Sequence, residues 1–395
     1  MHNFEWNLPT KIVYGKGELA RLGELCHGYG HKAFLATYRK SAKRAWILDT
    51  ALSSLKDAGI EVTIFDRIEP NPRAETVDQG VQLFLESGCD FVVALGGGSV
   101  IDAAKYISAT AFSGGLAWDY VILAERPAKE YTGAYPIVAV PTVSAAGSEA
   151  NAGGVITNWK TKEKSFSRSP YRIPKVAIVD PEVFVTVPRD ITADGGVDIF
   201  CHLIEHYLTS PDASEIADRI TEGLIFTTME YLDRALKDGS DLEARGQLAL
   251  CSLFGWSGIQ ALGRMGSIPI HFIEHQISGH YDISHGRGMV IILPAYLNHF
   301  ADARPERWAR LARRVFNVKD DDDGQAARKL GGAVVEWLES IDMHVTFSDN
   351  NIDATKFDQM TDDIIRMYGT LEGDKVPGPR PMSREDILAI LNASL

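Results

Sequence analysis

Apolar and polar positions change their spacing once along the chain, near its midpoint. In the first half, short β-rich runs alternate with longer stretches of helical period. Lys11-Ile-Val-Tyr-Gly15 reads as an opening strand, closed by Gly15 and Gly17. Ala33-Phe-Leu-Ala-Thr37 and Glu61-Val-Thr-Ile-Phe65 read as strands, and 45–57 has helical period with Gly59 as its stop. Pro72 is followed by a helical pattern that runs to Gly88. Phe91-Val-Val-Ala-Leu95, Pro136-Ile-Val-Ala-Val140 and Val176-Ala-Ile-Val179 are almost purely apolar, as strands buried on both faces of a parallel sheet are. This alternation predicts a doubly wound α/β domain over residues 1–190.

From about Ile191 the pattern is helical nearly to the end, which predicts an all-α domain over residues 191–395. Asp320 to Asp323 reads as a solvated loop that starts a helix. Ser383, with Glu385 and Asp386 behind it, reads as the N-cap of a last helix. No internal repeat, low-complexity tract or long linker interrupts the pattern.

Composition removes whole classes of function. The 395 residues exceed what one core serves, in keeping with two domains. A formal charge of −13 argues against a nucleic-acid or anionic-membrane partner. Cys26, Cys89, Cys201 and Cys251 are widely spaced, so neither a disulfide framework nor a thiolate zinc site is indicated. Cys201 adjoins His202 but faces elsewhere on a helix, as a packed thiol. No signal peptide is visible and no apolar run approaches the roughly 20 residues of a membrane helix, so a cytoplasmic protein is expected.

Chemistry gathers in the second half. Asp198-x-x-x-His202 puts a carboxylate and an imidazole a turn apart on one helix face, and His271-x-x-x-His275 repeats the spacing. His285 follows just before Gly286. One carboxylate with three imidazoles (Asp198, His202, His271, His285) suits Zn2+ or Fe2+ better than Ca2+ or Mg2+. The plain alternative is core histidines at helical spacing.

The α/β half offers an anion cradle. The strand ending at Leu95 runs into Gly96-Gly97-Gly98-Ser99, with Ser99 a candidate cap and Asp102 its reciprocal partner. Exposed amides at that helix start favour a pyrophosphate, although neither standard nucleotide fingerprint is met. Thr142 and Ser144 place hydroxyls after the strand at Val140, where α/β domains hold ligands. Tyr38-Arg39-Lys40 follows the first strand of the alternation, with Lys43 and Arg44 beyond. This end has no acidic residue to hold a ribose 2′-hydroxyl, and its basic character suits a 2′-phosphate, or else is a solvated turn.

With these motifs in place, the chain resembles the iron-dependent (group III) alcohol dehydrogenases, and among them the butanol-dehydrogenase and broad-range aldehyde-reductase branch. The resemblance is carried by Tyr14-Gly-Lys-Gly17, Glu69-Pro-Asn-Pro72, Gly96-Gly-Gly-Ser99, Gly147-Ser-Glu149, Asp198-x-x-x-His202, His271-x-x-x-His275 and His285. It implies a dehydroquinate-synthase-like architecture. The family's divalent metal, iron or zinc, would be held by Asp198, His202, His271 and His285. His275 would lie beside the nicotinamide and relay a proton, as the ordinary pKa of histidine allows. Gly97, Gly98, Ser99, Thr142 and Lys164 match dinucleotide contacts, and Asn71 would lie near the adenosine end. A homodimer through the N-terminal strands is implied as well.

Two positions where relatives carry Thr are Val143 and Ala146 here, which removes side-chain contacts to the cofactor. Tyr38 stands where NAD-preferring relatives carry Asp, which favours NADP(H). The expected reaction is hydride transfer between NAD(P)(H) and a small primary alcohol or aldehyde. Arg264 and Arg287 among Phe254, Trp256, Leu262 and Ile273 suggest a weakly charged substrate, with Trp256 and Arg264 in its wall. The alternative is a metal- and NAD-dependent lyase resembling dehydroquinate synthase.

Overall fold

A computed structural model describes residues 1–39, 44–369 and 373–395. Its strands are β1 (Lys11–Tyr14), β2 (Lys32–Ala36), β3 (Glu61–Phe65), β4 (Phe91–Gly96), β5 (Ile137–Pro141), β6 (Gly153–Asn158), β7 (Glu163–Arg168) and β8 (Val176–Val179). Six of them form a parallel sheet in the order β1-β8-β5-β4-β2-β3. The helices of this half are α1 (Leu22–Leu25), α2 (Ala45–Asp57), α3 (Ala74–Ser87), α4 (Gly98–Ser113) and α5 (Pro181–Phe184).

Successive strand residues point to opposite faces, and both faces are covered. Leu35, Val93 and Val138 pack with Ile47, Ala51 and Leu55 of α2. Phe34, Val92 and Ala139 pack on the other side with Val77 and Phe84 of α3 and Ile107 of α4. The apolar runs in the sequence are therefore doubly covered strands, and every residue of β4 is buried.

The pattern did not predict β6 and β7. They pair antiparallel, Gly153 with Arg168 through to Asn158 with Glu163, in a two-stranded hairpin off the main sheet. Glu163-Lys-Ser-Phe-Ser-Arg168 carries polar residues on both faces, so its alternation is nearly silent. The hairpin is held by tertiary contacts: Thr157 donates its amide to Pro72 O at 2.8 Å, and Gln276 donates to Lys164 O at 2.9 Å.

The remaining chain is helical: α6 (Arg189–Thr209), α7 (Glu215–Lys237), α8 (Leu242–Gly255), α9 (Pro269–Tyr281), α10 (His285–His299), α11 (Pro305–Arg314), α12 (Asp323–Ser340), α13 (Phe357–Tyr368) and α14 (Arg384–Ala393). Asp322 caps α12, and Ser383 caps α14 in a capping box with Asp386. The start of α10 lies so close to α6 that a Cβ on Gly286 would collide with the Asp194 carbonyl. This close approach carries His285 to Asp198. No described helix is long and apolar enough to cross a membrane.

Candidate active site

A cleft of about 1210 Å³ separates the carboxyl ends of the parallel strands from the helical half. It exceeds the usual size of a small-ligand pocket and has room for a dinucleotide and a second molecule. On its helical side Asp198 and His202 project from one face of α6, His271 comes from the first turn of α9, and His285 opens α10. Asp198 Oδ1 lies 3.4 Å from His202 Nδ1, 3.5 Å from His271 Nε2 and 3.8 Å from His285 Nε2. The structure thus brings the four predicted ligands together.

Asp198 Oδ1, His202 Nδ1 and His271 Nε2 are buried and have no hydrogen-bond partner. Three unpaired buried polar atoms converging on one point are costly unless a cation occupies it, and this donor set fits Zn2+ or Fe2+. Glu274, His275 and His285 also approach each other closely enough to bind an ion. The Lys164 ammonium lies 3.7 Å from Glu274 and 3.5 Å from His285 Nδ1, so a second cation there would meet like charge. We assign the metal to the Asp198 cluster.

Two carboxylates stand behind the imidazoles. Glu205 contacts His271 Nδ1 and accepts from the amides of Ile270 at 2.6 Å and His271 at 3.2 Å. Glu274 contacts His285 Nδ1. Each occupies the outer ring nitrogen and leaves Nε2 toward the metal position. The sequence reading missed both, although Glu205 falls three residues after His202, on the helix face that carries the ligands.

Electrostatics follow from this crowding. Burial works against the Asp198 carboxylate, yet the surrounding imidazoles hold its pKa well below the usual range. Burial pushes His202 down to about 3. Burial opposes protonation of His271 too, but Glu205 and Asp198 outweigh it and raise the pKa to about 10. Without metal, a proton on His271 neutralises these carboxylates, and metal uptake must displace it. Metal affinity should therefore rise with pH, by about tenfold per unit near neutrality, and level off towards pH 10. Calorimetric titration of the apoprotein in two buffers of different ionisation heat should show about one proton released; none released contradicts the assignment.

His275 differs from expectation. Burial, then Lys164 and the neighbouring imidazoles, lower its pKa well below the ordinary value, so the ring is neutral at pH 7. Its Nδ1 lies 2.6 Å from the Tyr368 hydroxyl, which donates to Lys164 O at 3.1 Å. With the phenol proton so used, His275 Nδ1 carries its own hydrogen and Nε2 is an acceptor. His275 Nε2 can therefore accept a hydrogen bond while the ring stays uncharged.

The opposite wall is the start of α4. Its N-cap is Gly97, with no side-chain cap, so Ser99 lies one residue inside the helix and does not cap it. Asp102 is likewise not its reciprocal partner: its carboxylate contacts the Ser148 hydroxyl and accepts from Val155 N at 2.9 Å. The uncapped helix start still offers amides to an anion, and Gly97, Gly98 and Ser99 line the cleft. Thr142 lines it too, with its buried hydroxyl unpaired, a natural contact for a bound phosphate. Ser144 lines a separate small cavity with Phe184 and Leu248 and is not among the residues lining the cleft. Val143 and Ala146 present apolar groups where hydroxyls were expected.

Gly147 sits at φ 58°, and a Cβ there would collide with the Ser252 carbonyl, so only glycine fits this turn. Lys105 secures the loop beyond by donating to Ser148 Oγ at 2.8 Å, Asn151 Oδ1 at 3.1 Å and Gly153 O at 2.8 Å. Burial brings its pKa down to about 7.

Lys164, on β7, donates to Asn71 Oδ1 at 3.0 Å and Ser278 Oγ at 2.7 Å. Asn71 lines the cleft and also donates to Ile283 O at 3.0 Å, which ties it to the loop before His285. Tyr38, Arg39, Arg44 and Arg67, which follow the carboxyl ends of β2 and β3, also line the cleft, with the Arg44 guanidinium 4.2 Å from the Tyr38 ring centre. Lys40 lies outside the described residues.

Trp256 lines the cleft with its ring 4.7 Å from His202. Arg264 does not: it is buried against Asp218 and donates to Thr221 Oγ1 at 2.7 Å. Arg287 is paired with Asp194 at 2.9 Å. His206 lines the cleft beside Trp256 and keeps clear of the ligand cluster, and burial lowers its pKa to about 4. Cys201 is a buried thiol whose pKa burial raises well above the ordinary value.

Comparison with known proteins agrees with this arrangement. The iron-containing alcohol dehydrogenase profile matches residues 9–181, and the Fe-containing alcohol dehydrogenase C-terminal profile matches residues 192–395. The chain is 35% identical over the full length of both chains to a probable NADH-dependent butanol dehydrogenase of Bacillus subtilis. It is 33% identical, over 90% of this chain and 91% of the other, to an NADPH-dependent aldehyde reductase of Escherichia coli. A solved NADH-dependent butanol dehydrogenase A of Thermotoga maritima superposes with a TM-score of 0.94 at 33% identity, covering 100% of this chain and 99% of that one.

Proposed function

The chain belongs to the iron-containing alcohol dehydrogenase family, and we propose that it is a metal-dependent alcohol dehydrogenase and aldehyde reductase using NAD(P)(H). One observation carries the reading: unpaired donor atoms of Asp198, His202 and His271 face an uncapped, glycine-rich helix start across a single cleft. We assign the α/β part, residues 1–190, to the dinucleotide and the helical part, residues 191–395, to the metal.

A divalent metal held by Asp198, His202, His271 and His285 supplies Lewis acidity that polarises the substrate oxygen. The dinucleotide supplies the hydride donor or acceptor, on the amides of Gly97 to Ser99 and the Thr142 hydroxyl. The chain's own work is placement. Trp256, Phe272 and Ile268 exclude water from the substrate end. His275 Nε2 accepts a hydrogen bond from the alcohol hydroxyl and so orients it, and Tyr368 holds its ring in that tautomer.

The lyase alternative needs several basic side chains for an anionic, phosphorylated substrate. Arg264 and Arg287, the basic residues nearest the metal motifs in sequence, are committed to internal carboxylates and do not serve that reading.

NADP(H) is the favoured cofactor, because Arg39, Arg44 and Arg67 line the cleft just after the carboxyl ends of β2 and β3 and Tyr38 supplies no carboxylate. The deciding experiment follows aldehyde reduction with NADPH and NADH in parallel, on protein loaded with Fe2+ or Zn2+. Reduction that is faster with NADPH and lost on chelation is expected. Turnover by metal-free protein sinks the metal scheme, and a preference for NADH sinks the cofactor assignment. Arg44→Ala should weaken NADPH binding by about tenfold and NADH binding far less, as loss of one charge-assisted hydrogen bond would.

We further propose a homodimer through β1, the edge strand of the sheet, with the exposed Tyr14, Trp6 and Phe4 beside it. Light scattering on the purified chain tests this. Four free, buried cysteines support a reducing compartment such as the cytoplasm.

A further inference from the structure

The hairpin shows one face of β7 to the cleft. Lys164, Phe166 and Arg168 line it in alternate positions, while Glu163, Ser165 and Ser167 are buried on the other side. Along this face, Lys164 reaches the metal end, 3.5 Å from His285. The Phe166 ring sits in the middle, 6.4 Å from Phe272 and 6.5 Å from His275. Arg168 ends the row, about 13 Å from Lys164 along a strand rising roughly 3.3 Å per residue.

Arg168 is exposed and lines the cleft, and its guanidinium has no hydrogen bond or ion pair with any described residue. Nor does a carboxylate of the cleft wall stand ready to neutralise it. Glu69 bonds Thr76 and Arg73, Asp102 bonds Ser148 and Val155, Asp194 bonds Ser284 and Arg287, and Asp198 belongs to the metal cluster. Its charge is felt at His206, where burial, then Arg264 and Arg168, disfavour a proton. The cleft that Arg168 shares with the metal cluster carries apolar groups as well, Phe166, Phe272, Ile268 and Trp256. A cation, apolar groups and a carbonyl-polarising centre in one cleft match a short bifunctional molecule.

We infer that Arg168 determines specificity by pairing with an anionic group at the end of the substrate remote from its carbonyl, so that the preferred substrates are short aldehydes bearing a terminal carboxylate. The inference rests on the reductase reading above. Reduction moves a hydride from NAD(P)H to the carbonyl carbon and a proton to its oxygen, giving the ω-hydroxycarboxylate and NAD(P)+. The carboxylate passes through unchanged, held by a bidentate guanidinium contact.

The test compares 4-oxobutanoate with 4-methylpentanal, a neutral aldehyde of similar shape, on the metal-loaded enzyme. Wild type should prefer the anion in kcat/KM. Arg168→Gln should reduce the ratio of anion to neutral kcat/KM at least tenfold, through KM, and Arg168→Glu should reduce it further. Arg168→Lys should restore part of it, and added salt should shrink the wild-type preference. A ratio unchanged in Arg168→Gln, or unordered by charge across the series, overturns the inference while leaving the reductase reading intact. Failure to reduce either aldehyde overturns the reductase reading itself, and the inference with it. The exposed side chain makes loss of folding an improbable cause of any change.

Discussion

Asp198→Asn should lower turnover by a factor of about 10³ and strip the protein of metal while leaving dinucleotide binding within a few-fold of wild type. Oδ1 of Asp198 is the point on which His202, His271 and His285 converge, and it is the only anion among the four ligands. An amide of the same shape keeps the packing of α6 but removes the charge that balances the cation. Lewis-acid stabilisation is worth several kcal/mol, and about 4 kcal/mol corresponds to the stated factor. Metal analysis, steady-state aldehyde reduction and NADPH fluorescence titration measure the three quantities separately. An Asn variant that turns over at near wild-type rate with no metal bound removes Asp198 from the site.

Glu205→Gln should weaken metal binding by about 10- to 100-fold without replacing a ligand. Glu205 receives two backbone amides and the His271 Nδ1. A glutamine that keeps its carbonyl toward those amides must turn its NH2 toward Nδ1. The imidazole then places its hydrogen on Nε2 and can no longer donate a lone pair there. Chelator competition reads the affinity, and saturating metal should restore most of kcat. Unchanged affinity, or a kcat that metal cannot restore, shows that Glu205 serves only the fold. The two variants are distinguishable because Asp198→Asn is not rescued by metal.

The spacing of Asp198 with His202, and of His271 with His275, was legible because helix geometry is local. Asp198 and His202 share a face of α6 whatever the rest of the chain does. The doubly wound sheet was legible for a similar reason: strands covered on both faces must be apolar throughout, as β4 is. The glycine-rich turn could be found because few other residues tolerate so close an approach.

Other features depend on partners far away in sequence. Arg264 reads as a candidate substrate contact from its neighbours, yet Asp218, 46 residues earlier, takes it into the interior. Ser99 and Asp102 have the spacing of a capping box, but Ser148 and Val155 compete for the Asp102 carboxylate and win. Histidine's ordinary pKa suggests an easy proton carrier at position 275. Burial beside Lys164 and three other imidazoles makes its cationic form too costly. The β6–β7 hairpin was invisible because its polar alternation has no local meaning; it becomes a strand pair only when α9 and the turn at Pro72 supply its partners.

Local periodicity and composition thus make the layers, the helical spacing of Asp198 with His202 and the glycine-rich turn legible, since each rests on backbone geometry over a few residues. Which side of the cleft each group faces, which carboxylate orients which imidazole, and the row of Lys164, Phe166 and Arg168 depend on contacts between residues 11 to 112 positions apart. Burial, charge pairing and desolvation act through space, and they take their values only when the chain is folded.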